Sequence, residues 1–357
     1  MSDDHAKLTI REVAEAAGVS RMTVTRVMRQ DPLVAPKTRA AVEAVIKRLG
    51  YEPMHAARNL SSSKPRVIGV VSQQSAATEA MGLGNEYLNI LHLGALQVCN
   101  EANYGLIFFP ALAEEGIDTY VRRVKTRQVA GYVLAAPSTE TPGLVEALLA
   151  SDIPFSAINP ADPARCPLSV LSNDRLAVRQ IVDEMLRQGH CRIAFAGAGS
   201  HVRASSERLA GYLDAISGAA EPRQEPIVYE TRGIAFGDGL ALGRRIFGQA
   251  DRPTAIQCIT DDMAAGVIAA AHERRLLMPE VLSVGGFDNF GLAMRLYPAL
   301  STATLPLMDM AIAATRQVRD TLDGREVAAQ ICIDCPVVLR DSIGPGAPVK
   351  RRARQPV

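Results

Sequence analysis

The sequence predicts an all-α helix-turn-helix head joined to an α/β core of two doubly wound parallel-sheet subdomains. The head is predicted from three short helical patterns within residues 9–50. The core is predicted because apolar, strand-like runs alternate with amphipathic stretches, and this rhythm restarts halfway along the chain. Charge separates the same two parts, since residues 1–66 hold 12 Lys+Arg against 7 Asp+Glu, whereas residues 67–349 hold 23 against 31. A basic head on an acidic body favours a polyanionic partner for the head.

The composition excludes several classes of protein. A chain of 357 residues with 48% hydrophobic and 22% charged residues can bury large cores, which rules out disordered and fibrous proteins. The first residues are polar and acidic, and no apolar run reaches the roughly 18 residues of a membrane span, so we expect a cytoplasmic protein with no membrane partner. Six scattered Cys, 0 Trp and 4% aromatic residues exclude a disulfide scaffold and an aromatic surface for stacking bases.

Local signals define the three helices of the head. Thr9 and Glu12 have the spacing of a capping box, which satisfies free backbone N–H groups where a helix begins. Gly18 then permits a sharp turn, because glycine adopts positive φ without strain. Ser20 can cap a second helix, and a third is predicted over 36–50, with a proline in its first turn and a glycine at its end.

The outer face of the second helix carries the first candidate site. Arg21, Met22 and Arg26 point away from the helix's apolar stripe. Arginine can donate two hydrogen bonds to guanine O6 and N7, and an apolar side chain can contact the methyl group of thymine. From the helix pattern alone, an ordinary solvated surface is an equal alternative.

Several runs of sequence resemble the LacI/GalR (lactose-repressor) family. The run LTIREVAEAAGVSRMTVTRV at 8–27 is similar to the family's DNA-binding head. The runs VAPKTR at 34–39, LGYEP at 49–53 and AARNL at 56–60 follow in the family's order and spacing, before the strand-like VIGVV at 67–71. The resemblance implies a ligand-responsive transcription factor, with repression as its expected action. It also implies a homodimer on a palindromic operator.

The resemblance assigns roles within the head and the segment after it. It implies that Arg21, Met22 and Arg26 read bases. Hydroxyl groups near helix starts suit phosphate contacts, which here implies Thr9, Ser20, Thr23, Thr25, Thr38 and Tyr51. Residues 55–66 alone would be a helix end and a polar linker. The resemblance instead implies a hinge helix that orders on operator DNA, with Ala57 and Leu60 in the minor groove and Leu60 wedged between base pairs.

The core is predicted from two sets of apolar runs, at 67–71, 106–109, 129–134 and 155–158, and then at 192–196, 227–229, 255–259 and 282–286. Parallel sheets of this kind bind ligands at the carboxyl ends of their strands. The resemblance implies a periplasmic-binding-protein-like architecture with three crossovers. We expect a head at 1–54, a hinge at 55–66, a core at 67–343 and a flexible basic tail at 344–357. The core is expected to divide into two lobes. The N-lobe comprises 67–160 and 291–323, and the C-lobe comprises 161–290 and 324–343.

Polar side chains near the predicted strand ends are the candidate effector ligands. The set is Asn159, Arg208, Asp261, Asp288, Phe236, Tyr87 and Gln73. Arg208, expected to open a helix, and Asp288 match effector-contacting positions in the family, and a carboxylate opposite a guanidinium can grip neighbouring hydroxyls. A sugar or sugar derivative is therefore the expected effector. Without the resemblance, Asp261 and Asp288 would be helix caps, and Phe236 would be ordinary packing rather than a stacking platform.

The other motifs in the sequence do not indicate a metal, nucleotide or catalytic site. Cys332 and Cys335 have CxxC spacing, but they lie in a strand-like segment without a second ligand pair, so buried sheet packing is expected. The histidines lack metal-ligand spacing, and no nucleophile elbow, P-loop or complete dinucleotide fingerprint occurs. We therefore expect no catalytic residue, metal or cofactor. A sugar-binding module without DNA function and an α/β sugar enzyme are the alternatives.

Overall fold

The computed structural model describes residues 8–28, 31–51, 65–72, 84–110, 116–198, 202–219 and 224–346, and the structural statements below concern these ranges. Most of the predicted hinge and nearly all of the predicted tail lie outside them. The chain forms two compact units, Met1–Pro65 and Arg66–Val357. Among the described helices, none combines the length and apolar character needed to cross a membrane.

The head contains the three predicted helices, α1 (Ile10–Ala16), α2 (Arg21–Met28) and α3 (Pro36–Leu49). The backbone N–H of Thr9 donates to Glu12 Oε2 at 2.6 Å, and the N–H of Thr23 donates to Ser20 Oγ at 3.1 Å. Gly18, between α1 and α2, has a φ of 64°. These contacts confirm the predicted helix starts and the turn, because each signal is local to a few residues.

One small apolar cluster holds the head together. Val13 of α1, Val24 and Val27 of α2, and Val42 of α3 are buried against one another. Tyr51, just after α3, belongs to the same cluster and is 9% exposed. Because α2 contributes its inner face to this cluster, its outer face is available to a partner.

The second unit alternates strands and helices in the predicted manner. Its strands are β1 (Val67–Ser72), β2 (Gly105–Pro110), β3 (Gly131–Ala135), β4 (Phe155–Ile158), β5 (Ser169–Ser172), β6 (Ile193–Ala198), β7 (Ile227–Thr231), β8 (Ala255–Cys258), β9 (Ser283–Gly285), β10 (Thr302–Ala303), β11 (Gln330–Ile333) and β12 (Val337–Val338). Its helices are α4 (Gly84–Glu101), α5 (Asp118–Lys125), α6 (Leu144–Ala150), α7 (Asp174–Arg187), α8 (Arg203–Gly218), α9 (Phe236–Ile246), α10 (Asp261–Glu273), α11 (Gly291–Arg295) and α12 (Leu307–Leu322).

Two parallel sheets organise this unit. The first sheet has the strand order β11-β5-β4-β3-β1-β2, and the second has the order β7-β6-β8-β9. Every pairing within each sheet is parallel, whereas β10 and β12 form a short antiparallel pair. The predicted pair of doubly wound subdomains is therefore confirmed.

The expected lobe boundaries are wrong at two strands. We expected the C-lobe to include 161–290 and 324–343, but β5 and β11, which lie in those ranges, belong to the first sheet. β5 pairs with β4, and β11 pairs with β5. The sequence Ser-Val-Leu-Ser of β5 has only two apolar residues in a row, so no strand was predicted there.

Glycines allow α9 and α10 to pack closely beside the second sheet. A Cβ added to Gly266 of α10 would lie 2.0 Å from the carbonyl oxygen of Phe236. A Cβ added to Gly239 of α9 would lie 2.1 Å from the carbonyl oxygen of Met263. Backbone atoms cannot yield to a side chain as a flexible group can, so both positions require glycine.

We expect Gly266→Ala to lower the free energy of unfolding by about 1–3 kcal/mol, because α9 and α10 must separate to admit the methyl group. Gly237→Ala is the matched control, since a Cβ on Gly237 of α9 meets nothing within 4 Å. That substitution is expected to be neutral or to stabilise by about 0.5–1 kcal/mol. Chemical denaturation of both variants measures the difference, and equal stabilities would contradict the packing argument.

Candidate functional site

The outer face of α2 presents the three residues predicted to read bases. Arg21 and Met22 are exposed, and Met22 has 66% of its surface accessible. Arg26 is also exposed, with its Nε 3.8 Å from Asp31 Oδ2. The prediction that these side chains point away from the head's core is confirmed.

The hydroxyl groups predicted to contact phosphates have different surroundings. Ser20 and Thr23 hydrogen-bond to each other, with 2.9 Å between their hydroxyl oxygens, and the Thr25 hydroxyl donates to the carbonyl oxygen of Arg21 at 3.0 Å. The Thr9 hydroxyl donates to Glu12, and Thr38 is half-buried. The ring of Tyr51 packs in the apolar cluster of the head. Ala57 and Leu60 lie outside the described residues.

Arg208 lies at the centre of the candidate effector site. Its Nε donates to Asp174 Oδ1 at 2.8 Å, and its Nη1 donates to the carbonyl oxygen of Ile259 at 2.7 Å. Its Nη2 lies 3.5 Å from Asp288 Oδ1, and its guanidinium carbon lies 3.6 Å from the centre of the Phe287 ring. The structure thus brings Arg208 and Asp288 together as predicted.

The start of the helix that carries Arg208 was predicted wrongly. We expected Arg208 to open its helix, but α8 begins at Arg203, so Arg208 lies in the second turn. The residue before α8 is Val202, which provides no side-chain cap. The helix start therefore has no local sequence signal of the kind that marks α2.

A hydrogen-bonded chain connects Arg208 to the strand ends of the first sheet. Asn159, after β4, donates from its amide nitrogen to Ser172 Oγ at 2.7 Å and accepts the Ser172 N–H at 2.9 Å. The Ser172 hydroxyl in turn donates to Asp174, the partner of Arg208. Asn159 was predicted, but Ser172 and Asp174 were missed. The available signal was the polar run Ser172-Asn173-Asp174 at the end of β5, but that strand was itself not detected.

Asp261 is an internal acceptor rather than a helix cap. Its Oδ1 accepts the Thr302 hydroxyl at 2.6 Å, and its Oδ2 accepts the N–H of Asn289 at 2.7 Å. Thr260 caps α10 instead, because its hydroxyl oxygen accepts the N–H of Met263 at 3.1 Å. The capping alternative for Asp261 is therefore wrong. Burial raises the pKa of Asp261 to about 7.

Asp288 occupies an unusual backbone conformation beside Arg208. Its φ is 120°, a region that L residues rarely adopt, and its main chain is fixed by hydrogen bonds to Ala303 and Leu305. The next helix, α11, has Phe290 at its N-cap, so Asp288 is not a helix cap either. Burial raises the pKa of Asp288 well above its usual range, although the nearby Arg208 acts in the opposite direction.

The remaining predicted effector ligands, Tyr87, Phe236 and Gln73, have no described hydrogen bond to Arg208. Tyr87 of α4 is half-buried and interacts electrostatically with Asp288 and Arg208, and burial raises its pKa to about 12. Phe236 is 40% exposed, and its backbone N–H donates to the Asp262 carboxylate. The Phe236 residue is therefore partly exposed at the surface. Gln73 lies outside the described residues.

The CxxC segment differs from its expected packing. Cys335 is buried, but Cys332 is exposed at the edge of the first sheet, so the expectation that both are buried is wrong for Cys332. Across the described residues, no three His, Cys, Asp or Glu side chains are grouped so as to hold a metal ion.

Comparison with known proteins agrees with both parts of this architecture. Residues 9–54 match the family described as bacterial regulatory proteins, lacI family, and residues 182–343 match the periplasmic binding protein-like domain. The chain belongs to the LacI family. As a LacI-family protein it is a DNA-binding transcriptional regulator with an effector-binding core, and it is not an enzyme.

Individual relatives extend the match over nearly the whole chain. The chain is 27% identical to catabolite control protein A of Priestia megaterium over 326 residues, covering 91% of this chain and 95% of that protein. It is 27% identical to the HTH-type transcriptional regulator AscG of Escherichia coli, covering 94% and 98%. The crystal structure of the lac repressor dimer bound to operator and the anti-inducer ONPF superposes with a TM-score of 0.80 at 21% identity, covering 94% and 99%, which establishes the shared fold.

Proposed function

We propose that this LacI-family regulator represses carbohydrate-use genes in the cytoplasm and is controlled by a small, sugar-like effector at the Arg208 site. One observation carries the proposal. Arg208 is hydrogen-bonded through Asp174 to Ser172 and Asn159 at the strand ends of the first sheet, and it also contacts Ile259 and Asp288 after strands of the second sheet. A ligand that enters this chain of contacts changes interactions with both sheets at once.

Such a ligand can control DNA binding by a shift between conformations. An effector favours whichever arrangement of the two sheets it binds more tightly, and the gain equals its difference in affinity for the two arrangements. If only one arrangement supports an ordered hinge, effector binding changes operator affinity. Ala57 and Leu60 of the predicted hinge are then the minor-groove residues, with Leu60 as the wedge.

An exposed apolar surface supports a homodimer. Leu93 and Leu96 of α4 are 55% and 43% exposed. Phe108 lies beside them on β2, the edge strand of the first sheet, and is 38% exposed. The His92 ring of α4 contacts the Phe108 ring with 3.6 Å between centroids, so the helix and the strand present one continuous patch. A second copy of the chain covers this patch, as expected for large exposed apolar surfaces.

Two heads on one dimer read a palindrome. The α2 helices would enter the major groove at half-sites whose centres are roughly one helical turn, about 34–36 Å, apart. Arg21, Met22 and Arg26 would contact bases there. The hydroxyl groups of Thr9, Ser20, Thr23, Thr25, Thr38 and Tyr51 would fix the register on the phosphates.

Selection from a random pool of DNA duplexes tests this proposal. The purified full-length chain is expected to recover an inverted repeat and to bind it roughly 10³-fold or more tightly than a scrambled duplex of the same length. A mono- or disaccharide is then expected to change the Kd for that repeat. Equal Kd values for the selected and scrambled duplexes would contradict the DNA-binding half, and no response to any small ligand would contradict the effector half.

A further inference from the structure

The segment between α2 and α3 holds a carboxylate beside Arg26, one of the residues proposed to read bases. We infer that Asp31 is a positioning residue that orients the Arg26 guanidinium toward a base in the major groove and so helps to determine the operator sequence. The inference rests on the base-reading role proposed for Arg26. It adds a residue that acts through Arg26, and it follows from the way Asp31 is fixed in the head.

The backbone of Asp31 is tied to both neighbouring helices. Its N–H donates to the carbonyl oxygen of Arg26 in α2 at 3.0 Å. Its carbonyl oxygen accepts Arg39 Nη2 of α3 at 2.6 Å and the N–H of Val34 at 3.2 Å. Three hydrogen bonds therefore set the position of Asp31 relative to the helix turn that carries Arg26.

The two carboxylate oxygens of Asp31 have separate partners. Oδ1 accepts the N–H of Leu33 at 2.9 Å, the arrangement in which an aspartate side chain closes a turn two residues further on. Oδ2 lies 3.8 Å from Arg26 Nε, and the side chains of Arg26 and Asp31 are 55% and 27% exposed. The hydrogen bond to Leu33 restrains the carboxylate, so Oδ2 presents its charge to Arg26 from a defined direction.

The contact reaches Arg26 through the inner nitrogen of its guanidinium. Asp31 is the only ionic partner of Arg26 among the residues that the structure describes, and the distance to Nε is 3.8 Å. The terminal nitrogens Nη1 and Nη2 remain available to donate to guanine O6 and N7. A charge-assisted hydrogen bond would be about 2.7–2.9 Å long. The longer contact attracts the side chain without using its donors.

Orientation before binding matters because a free arginine side chain has many rotamers. Fixing such a side chain in a complex costs conformational entropy. A contact that restrains Arg26 in the free protein reduces this cost for the base pair that the guanidinium then meets. The charge of Asp31 also repels the phosphates of every duplex, whatever its sequence. Asp31 is therefore expected to favour discrimination between sequences at the expense of total affinity.

Asp31→Asn separates these two effects. Asparagine keeps an acceptor for the Leu33 N–H but removes the charge that faces Arg26. For the full-length chain at a fixed salt concentration, Kd is measured for the selected operator and for versions of it in which each base pair is changed in turn. Discrimination at the base pair read by Arg26 is expected to fall about threefold or more. Binding to a scrambled duplex should stay the same or tighten by up to about fivefold.

Two comparisons assign the effect to the contact between Asp31 and Arg26. Arg26→Ala identifies the base pair at which Arg26 contributes to discrimination. In that background, Asp31→Asn is expected to leave the discrimination at this base pair unchanged, because the side chain that it orients is gone. Glu43→Gln removes an equal charge from an exposed residue of α3 and should change the Kd for all duplexes by similar factors.

The outcomes separate this inference from the proposed function. If Asp31→Asn changes the Kd for every duplex by one factor, or acts equally with and without Arg26, Asp31 does not orient Arg26 and the inference is wrong, while Arg26 remains a base-reading residue. If Arg26→Ala loses discrimination at no base pair, the proposed base-reading role fails and this inference fails with it. A loss of stability alone would lower all affinities together, so it cannot mimic a loss at one base pair.

Discussion

Arg208→Met is expected to lower the free energy of unfolding by about 3–5 kcal/mol and to abolish the effector response. The variant leaves the carboxylates of Asp174 and Asp288, whose side chains are 2% and 17% exposed, without their cation. Breaking a buried ion pair from one side costs far more than the pair contributes, because the remaining charge is uncompensated. Chemical denaturation and operator titration with an effector measure the two effects.

A chemically matched pair provides the control. Arg175 of α7 pairs with Asp214 at 2.6 Å, but the two side chains are 52% and 33% exposed. Arg175→Met is therefore expected to cost less than about 1 kcal/mol and to leave the effector response unchanged. The double variant Arg208→Met, Asp174→Asn should recover part of the lost stability without recovering the response. A cost for Arg208→Met no larger than that for Arg175→Met would contradict the buried network.

Arg26→Ala is expected to weaken binding to the selected operator by about 5- to 150-fold, which corresponds to the roughly 1–3 kcal/mol of a bidentate contact with guanine. Binding to a scrambled duplex should change much less, because only one positive charge is lost. The discrimination between the two duplexes therefore falls. Gel-shift titrations at a fixed salt concentration measure both affinities.

Arg11→Ala is the control for charge alone. Arg11 of α1 is exposed and paired with Glu15 at 2.9 Å, and its removal also takes one positive charge from the head. It should weaken operator and scrambled duplexes by similar factors. If Arg26→Ala also lowered both affinities equally, α2 would not be the element that reads the sequence.

Features that depend on a few neighbouring residues were predictable from the sequence. The capping pair Thr9 and Glu12, the cap at Ser20 and the turn at Gly18 all act within one or two turns of helix, and each is observed. Apolar runs likewise predicted the central strands of both sheets. β5 escaped detection because both of its end residues are polar, which leaves only two apolar residues in a row, and its burial comes from neighbours in the sheet.

The site was only partly predictable because its contacts connect distant parts of the chain. Arg208 and Asp288 were identified through the family resemblance, but Asp174 pairs with Arg208 across 34 positions of sequence. Nothing in the residues around Asp174 indicates this partner. The capping alternative for Asp261 was reasonable from local pattern, yet the carboxylate turns inward to Thr302, 41 positions away. Tertiary contacts overrode a local preference there.

Reciprocal coupling between operator and effector is the most direct test of the account as a whole. The effector is titrated into the free protein and into the operator complex, and operator affinity is measured with and without saturating effector. If one conformational equilibrium connects the Arg208 site to the head, both affinities must change by the same factor, expected between about 5 and 150. An effector that binds the core with equal affinity in the presence and absence of operator would contradict this connection.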